Sequence, residues 1–142
     1  MRVMKLIGFC LAAYLPASVF AAPTASVLGE RALREECSAF SQAQMRDCLA
    51  QKAENSQKAL RQAEEKVASR LSKWDEDNKY VNQAKVKVTA SNKDFAKYRD
   101  AQCAFLTSLS GGGVGNAHEM RRLACISELN NKTSRAVTRR GV

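Results

Sequence analysis

The sequence predicts an all-α protein, an antiparallel three-helix bundle or hairpin stapled by two disulfides. Three observations predict it. Apolar residues recur in steps of three and four, neither Gly nor Pro occurs between Ser38 and Ser110, and four cysteines remain once an N-terminal export signal is set aside. The composition agrees: of 142 residues, 26% are charged, 45% hydrophobic and only 6% aromatic. That is too few aromatics for a large β-core and too many apolar residues for a disordered chain. The length bounds the answer to one small domain and excludes a two-domain dinucleotide enzyme or a TIM barrel.

Residues 1–21 read as a signal peptide. Arg2 and Lys5 form a basic start, Leu6 to Leu15 is an apolar run too short to span a membrane, and Pro16 ends it. Val19-Phe20-Ala21 puts small residues at the −3 and −1 sites, so cleavage is expected after Ala21. The protein is then periplasmic or secreted. Losing Arg2 and Lys5 takes the net charge from +9 to +7, and losing Cys10 leaves Cys37, Cys48, Cys103 and Cys125. An even cysteine count in a small exported domain reads as disulfides.

Residues 22–40 form a lead-in with a short helical turn around Leu28–Glu36; the helical domain is expected over 41–135. Ser41-Gln-Ala-Gln44 is a capping-box pattern, in which the Ser hydroxyl accepts from the N3 amide and the Gln reaches back. The first stripe then runs Met45, Leu49, Ala53, Ser56, Leu60, Ala63, Val67, Leu71 and Trp74. Asp75-Glu-Asp-Asn78 ends this helix and caps the next. The second stripe is Val81, Ala84, Val88, Ser91, Phe95, Tyr98, Gln102 and Phe105. Ser110-Gly-Gly-Gly-Val-Gly115 breaks it, since consecutive glycines each cost a helix about 1 kcal/mol relative to Ala. Asn116 opens a third helix with Met120, Leu123, Ala124, Ser127 and Asn131 inward. The basic tail 136–142 is expected to fray. The alternative is one extended coiled coil through Asp75–Asn78, dimerising along its stripe. The expected state is a monomer or weak dimer.

The hairpin geometry selects the disulfides. Cys103 and Cys125 stand about equally far from the glycine run, so they face each other across the turn. Cys37–Cys48 then pins the lead-in to the first helix. No CxxC is present and the only imidazole is His118, which is the wrong pattern for a metal site. No metal and no cofactor are expected.

No catalytic pattern stands out. A Ser-His-Asp hydrolase needs its His oriented by a carboxylate, and neighbouring Glu119 does not face His118 on a helix. Glu64-Glu65 and Asp75-Glu-Asp77 read as solvated faces and caps rather than an acid–base pair. The glycine run lacks a P-loop's Lys-Ser/Thr. The expectation is a protein that is not an enzyme.

Residues 121–142 carry Arg121, Arg122, Lys132, Arg135, Arg139 and Arg140 against Glu128 alone, a net of +5. Arg121, Arg122, Arg135, Arg139 and Arg140 are candidates for an anionic envelope surface. No aromatic residue interleaves with them, so no nucleic acid is expected.

The stretch Phe95-Ala-Lys-Tyr-Arg-Asp-Ala-Gln-Cys-Ala-Phe105, the glycine-rich loop and Cys125-Ile-Ser-Glu-Leu129 together resemble the lysozyme-inhibitor LprI-like family. Cys37…Gln42-Ala-Gln-Met-Arg-Asp-Cys48 is similar to the family's opening. Phe95 stands where a Trp is usual, Gln57, Arg61 and Glu64 depart from the usual first helix, and Asn130 and Thr133 stand where Thr and Arg are usual. The resemblance implies a small exported helical protein that binds and blocks lysozyme or a related peptidoglycan-active enzyme. A second implication is a periplasmic immunity protein against a cell-wall-targeting toxin. A third reading, from the charge alone, is a non-catalytic envelope protein holding anionic polymer. A +7 chain gains no long-range attraction to a basic animal lysozyme unless the contact patch itself is acidic.

Arg99 and Asp100 have two readings: an ion pair that locks the second helix to its neighbours, or a contact pair in the partner's cleft. The loop Gly111–Asn116, with Gly112, Gly113, Asn116 and His118, is the preferred contact surface, because loops on a rigid scaffold commonly carry recognition.

Overall fold

The computed structural model describes residues 27–112 and 115–140. The expected signal peptide lies outside the described residues. Four helices follow one another: α1 (Glu30–Glu36), α2 (Gln42–Leu71), α3 (Asn78–Ser108) and α4 (Asn116–Arg140). No strand is present among the described residues.

The starts follow their local chemistry. Ser41 caps α2 with a full capping box: its hydroxyl accepts from the Gln44 amide, and the Gln44 side chain accepts from the Ser41 amide at 3.2 Å. Asp77 caps α3 by accepting from the Lys79 amide at 2.7 Å. Residues 72–77 separate α2 from α3, so the chain turns back rather than continuing as one coiled coil. At the other turn Gly111 and Gly115 take left-handed φ values of 63° and 83°, conformations open to Gly at little cost.

Helix α4 is the central element. It packs along α2 and against α3 and α1, whereas α2 and α3 meet each other only slightly. Ser127 donates to the Lys52 carbonyl and Asn130 donates to Ser56, so α2 and α4 run parallel and in register. Helix α3 runs antiparallel to both. Small residues make the α2–α4 approach close: Ala53, Ser56 and Ala63 on one side, Ala124, Ser127 and Ser134 on the other, all buried. The main apolar cluster lies at one end and joins α1, α2 and α4 through Leu33, Cys37, Leu49, Ala53, Met120, Leu123 and Ala124.

Both expected disulfides are present. Cys37–Cys48 has its Cα atoms 5.9 Å apart and Cys103–Cys125 has them 5.6 Å apart. The first ties the end of α1 to α2, and the second ties α3 to α4.

Four expectations need correcting. Helix α4 does not fray at 136 but continues to Arg140, with Val137 half-buried beside α2 and α3. The second stripe slips: Ser91, Tyr98 and Phe105 are exposed, and Arg99, Cys103 and Leu106 turn inward instead. The reason is Cys103, whose bridge to α4 fixes the rotation of α3. Asn130, fully buried, takes the inner position expected of Asn131. Trp74 lies beyond the end of α2 and is 45% exposed.

Candidate partner-binding surface

The central polar contact is built on Arg99. Its Nη1 donates to Gln57 Oε1 at 2.7 Å and to Asn130 Oδ1 at 3.2 Å, while Nε and Nη2 donate to Asp100 Oδ1 at 2.9 and 2.8 Å. Asn130 in turn donates to Ser56 Oγ at 3.1 Å and Gln57 Oε1 at 3.3 Å. One guanidinium therefore joins α2, α3 and α4. The Arg99 side chain is 14% exposed, whereas that of Asp100 is 63% exposed. The geometry gives Arg99 the locking role, pointing inward because its acceptors are there. Gln57 and Asn130 are the residues that receive this arginine inside the bundle.

The glycine turn forms one tip of the molecule. Gly111, Gly112 and Gly115 are exposed, and a side chain added at any of them would meet nothing within 4 Å. Gly113 lies outside the described residues. Asn116 and His118 are half-buried, and His118 Nε2 is enclosed without a hydrogen-bond partner. From Ala101 to His118 the chain has no Asp, Glu, Lys or Arg. The exposed apolar residues Phe105 and Leu109, at 56% and 62%, lead into this tip along α3. Sequence reasoning missed this uncharged, partly apolar surface because it turned Phe105 inward.

The base of the tip is braced. Arg121 Nη1 donates to Ser110 Oγ at 2.7 Å, and Arg121 Nε lies 3.3 Å from Glu30 Oε1. The Glu30 amide donates to Glu128 Oε2 at 2.7 Å, and Glu128 also pairs with Lys132. Arg122 makes two hydrogen bonds of 2.8 Å to Glu119. Those bonds hold the Glu119 carboxyl below its usual value and the Arg122 guanidinium above. Burial between α2 and α3 pushes the Glu64 carboxyl up, against the pull of Arg61 and Arg99.

The five arginines do not form one patch. Arg121 and Arg122 pair with acids near the tip, while Arg135 and Arg139 lie toward the opposite end of α4; Arg122 and Arg139 are about 25 Å apart at 1.5 Å per residue. For Arg140 only its place in the helix is described. No three His, Cys, Asp or Glu side chains converge as a metal ion requires, among the described residues. No described helix is long and apolar enough to cross a membrane.

Fold and surface together define a class: a small all-α scaffold, doubly stapled, that presents a braced and uncharged tip. The chain belongs to the lysozyme inhibitor LprI family, which it matches over residues 35–136. That span covers both disulfides, the Arg99 network and the tip. No curated protein and no solved structure matches it.

Proposed function

We propose that the chain is an exported inhibitor that binds lysozyme or a related peptidoglycan-active enzyme and blocks its cleft with the tip around Gly111–His118. Membership of an inhibitor family across residues 35–136 is the observation that carries this reading. The surface supports it. A tip without formal charge between Ala101 and His118, next to a neutral Glu119–Arg122 pair, presents no net charge to a partner. Charges elsewhere on a +7 mature chain act weakly beyond a Debye length of about 8 Å at physiological salt. The tip can therefore approach a basic enzyme without strong local repulsion, which removes the objection raised by the overall charge.

The mechanism is steric. The Arg121–Ser110 and Arg121–Glu30 contacts and the Cys103–Cys125 bridge hold the loop's base, so less ordering is needed on binding. Phe105 and Leu109 supply apolar contact area beside the loop. A turbidity assay of cell-wall lysis with animal and bacterial muramidases tests the reading: inhibition of at least one supports it, and neither inhibition nor a complex with any sinks it.

A further inference from the structure

The end of the bundle away from the tip holds a cleft that the inhibitor reading does not use. Helices α2 and α3 meet each other only slightly, and α4 packs against both. The Arg99 network joins the three helices at one level, and residues 72–77 join α2 to α3 at the far end. Between those two ties the helices stand apart. Two adjoining cavities of about 430 and 460 Å³ lie in the gap and share Glu64, Val88 and Asn92. Val67 and Leu71 of α2, Val88 of α3 and Val137 of α4 give the cleft apolar walls. A cleft of this size, apolar but for a few polar groups, suits a small ligand that covers its walls.

Glu64 selects the ligand. Its carboxylate is the one acidic group that borders both cavities. Burial pushes that carboxyl up, while Arg61 and Arg99 pull the other way. No hydrogen bond or ion pair satisfies it among the described residues, and the Arg99 guanidinium is engaged by Gln57, Asn130 and Asp100. The other charged residues of the lining are Glu65 and Lys85. Two acids against one base give the cleft a net −1, on a chain whose mature net charge is +7. A carboxylate ligand would meet two acids. An alcohol would leave the Glu64 charge unbalanced. An ammonium group matches it through charge-assisted hydrogen bonds, and an attached hydrocarbon covers the valines.

We propose that the cleft between α2 and α3 binds a small amphipathic amine, its ammonium on Glu64 and its hydrocarbon body along Val67, Val88 and Val137. This inference is independent of the inhibitor reading. Val137 stands about 30 Å along α4 from Asn116 at 1.5 Å per residue, so the cleft leaves the tip free for an enzyme.

The test uses residues 22–142 and isothermal titration calorimetry with three probes of one chain length, each below its micelle concentration: octylammonium, octanoate and octanol. Octylammonium should bind at least fivefold more tightly than either of the others. It should bind about tenfold more tightly than hexylammonium, which lacks two methylenes. Glu64→Gln, which keeps the shape and removes the charge, should weaken octylammonium roughly fivefold and leave octanol unchanged. Ala136→Leu, which adds bulk to the cleft lining, should weaken octylammonium and octanol alike. Asp47→Asn, which removes an acid at the other end of α2, should change nothing. Circular dichroism confirms that each variant keeps its helices. The proposal is overturned if octylammonium binds no more tightly than octanoate, if Glu64→Gln binds it as the parent does, if Ala136→Leu retains full binding, or if Asp47→Asn loses as much as Glu64→Gln. Muramidase inhibition is measured without amine present, so the two readings fail separately.

Discussion

Replacing Arg99 by Ala separates the two meanings its motif could have. The guanidinium makes two bonds into the bundle, to Gln57 and Asn130, and two to the exposed Asp100. A hydrogen bond involving a charged group contributes about 1.5–3 kcal/mol when buried. The two inward bonds share one Nη1, and Asn130 keeps its bonds to Ser56 and Gln57 after the change, so the lower end applies. The Asp100 pair is exposed and adds at most about 1 kcal/mol. The expected loss is about 3 kcal/mol for Arg99→Ala and under about 1 kcal/mol for Asp100→Ala. Arg99→Lys should fall between, because one ammonium cannot reach Asp100 and the inward acceptors with the same fork. Urea unfolding with the disulfides intact measures this. An Arg99→Ala variant that unfolds within about 0.5 kcal/mol of the parent, or an Asp100→Ala variant that costs as much, would mean that Arg99 does not lock the three helices together.

Further outcomes are expected. Removing the Cys103–Cys125 bridge, which closes 22 residues, should cost about 3 kcal/mol, slightly more than removing Cys37–Cys48, which closes 11; paired Cys→Ser variants in thermal unfolding give the comparison. Glu119 has its folded pKa lowered below the ordinary 4.5, so its stabilisation is present above that pH and lost as pH falls through the folded value. Glu119→Gln should therefore flatten part of the acid limb of a stability–pH curve. Glu64 has the opposite sign, since its raised pKa opposes folding once it ionises; Glu64→Gln should be neutral or stabilising at pH 7 in the same measurement. Gly111→Ala should cost about 1 kcal/mol because φ is 63°, whereas Gly112→Trp should leave unfolding unchanged and weaken muramidase inhibition at least tenfold.

What was legible in the sequence was mostly local or closed by symmetry. The Ser41–Gln44 box, the Asp77 cap and the glycine turn are each decided within a few residues. The Cys103–Cys125 bridge follows from equal distances to that turn. The rotation of α3 was misread because Ser91, Gln102 and the alanines let two stripes fit the same spacing. Yet the bridge held the answer. At 100° per residue, Tyr98 and Phe105 sit roughly 140–160° from Cys103, so an inward cysteine turns both aromatics outward. The extension of α4 to Arg140 was hidden because only Val137 in the stretch 136–140, AVTRR, is large and apolar. Its support comes from α2 and α3, which are remote in sequence. The same remoteness hid Gln57 from Arg99.

Titrating a peptidoglycan-cleaving enzyme's lytic activity with residues 22–142 shows whether the tip blocks such an enzyme. The predicted result is a saturable, one-to-one loss of lysis for at least one muramidase, relieved by excess soluble glycan substrate. Full lysis at every ratio, with no complex by size-exclusion chromatography for any enzyme tried, would contradict it.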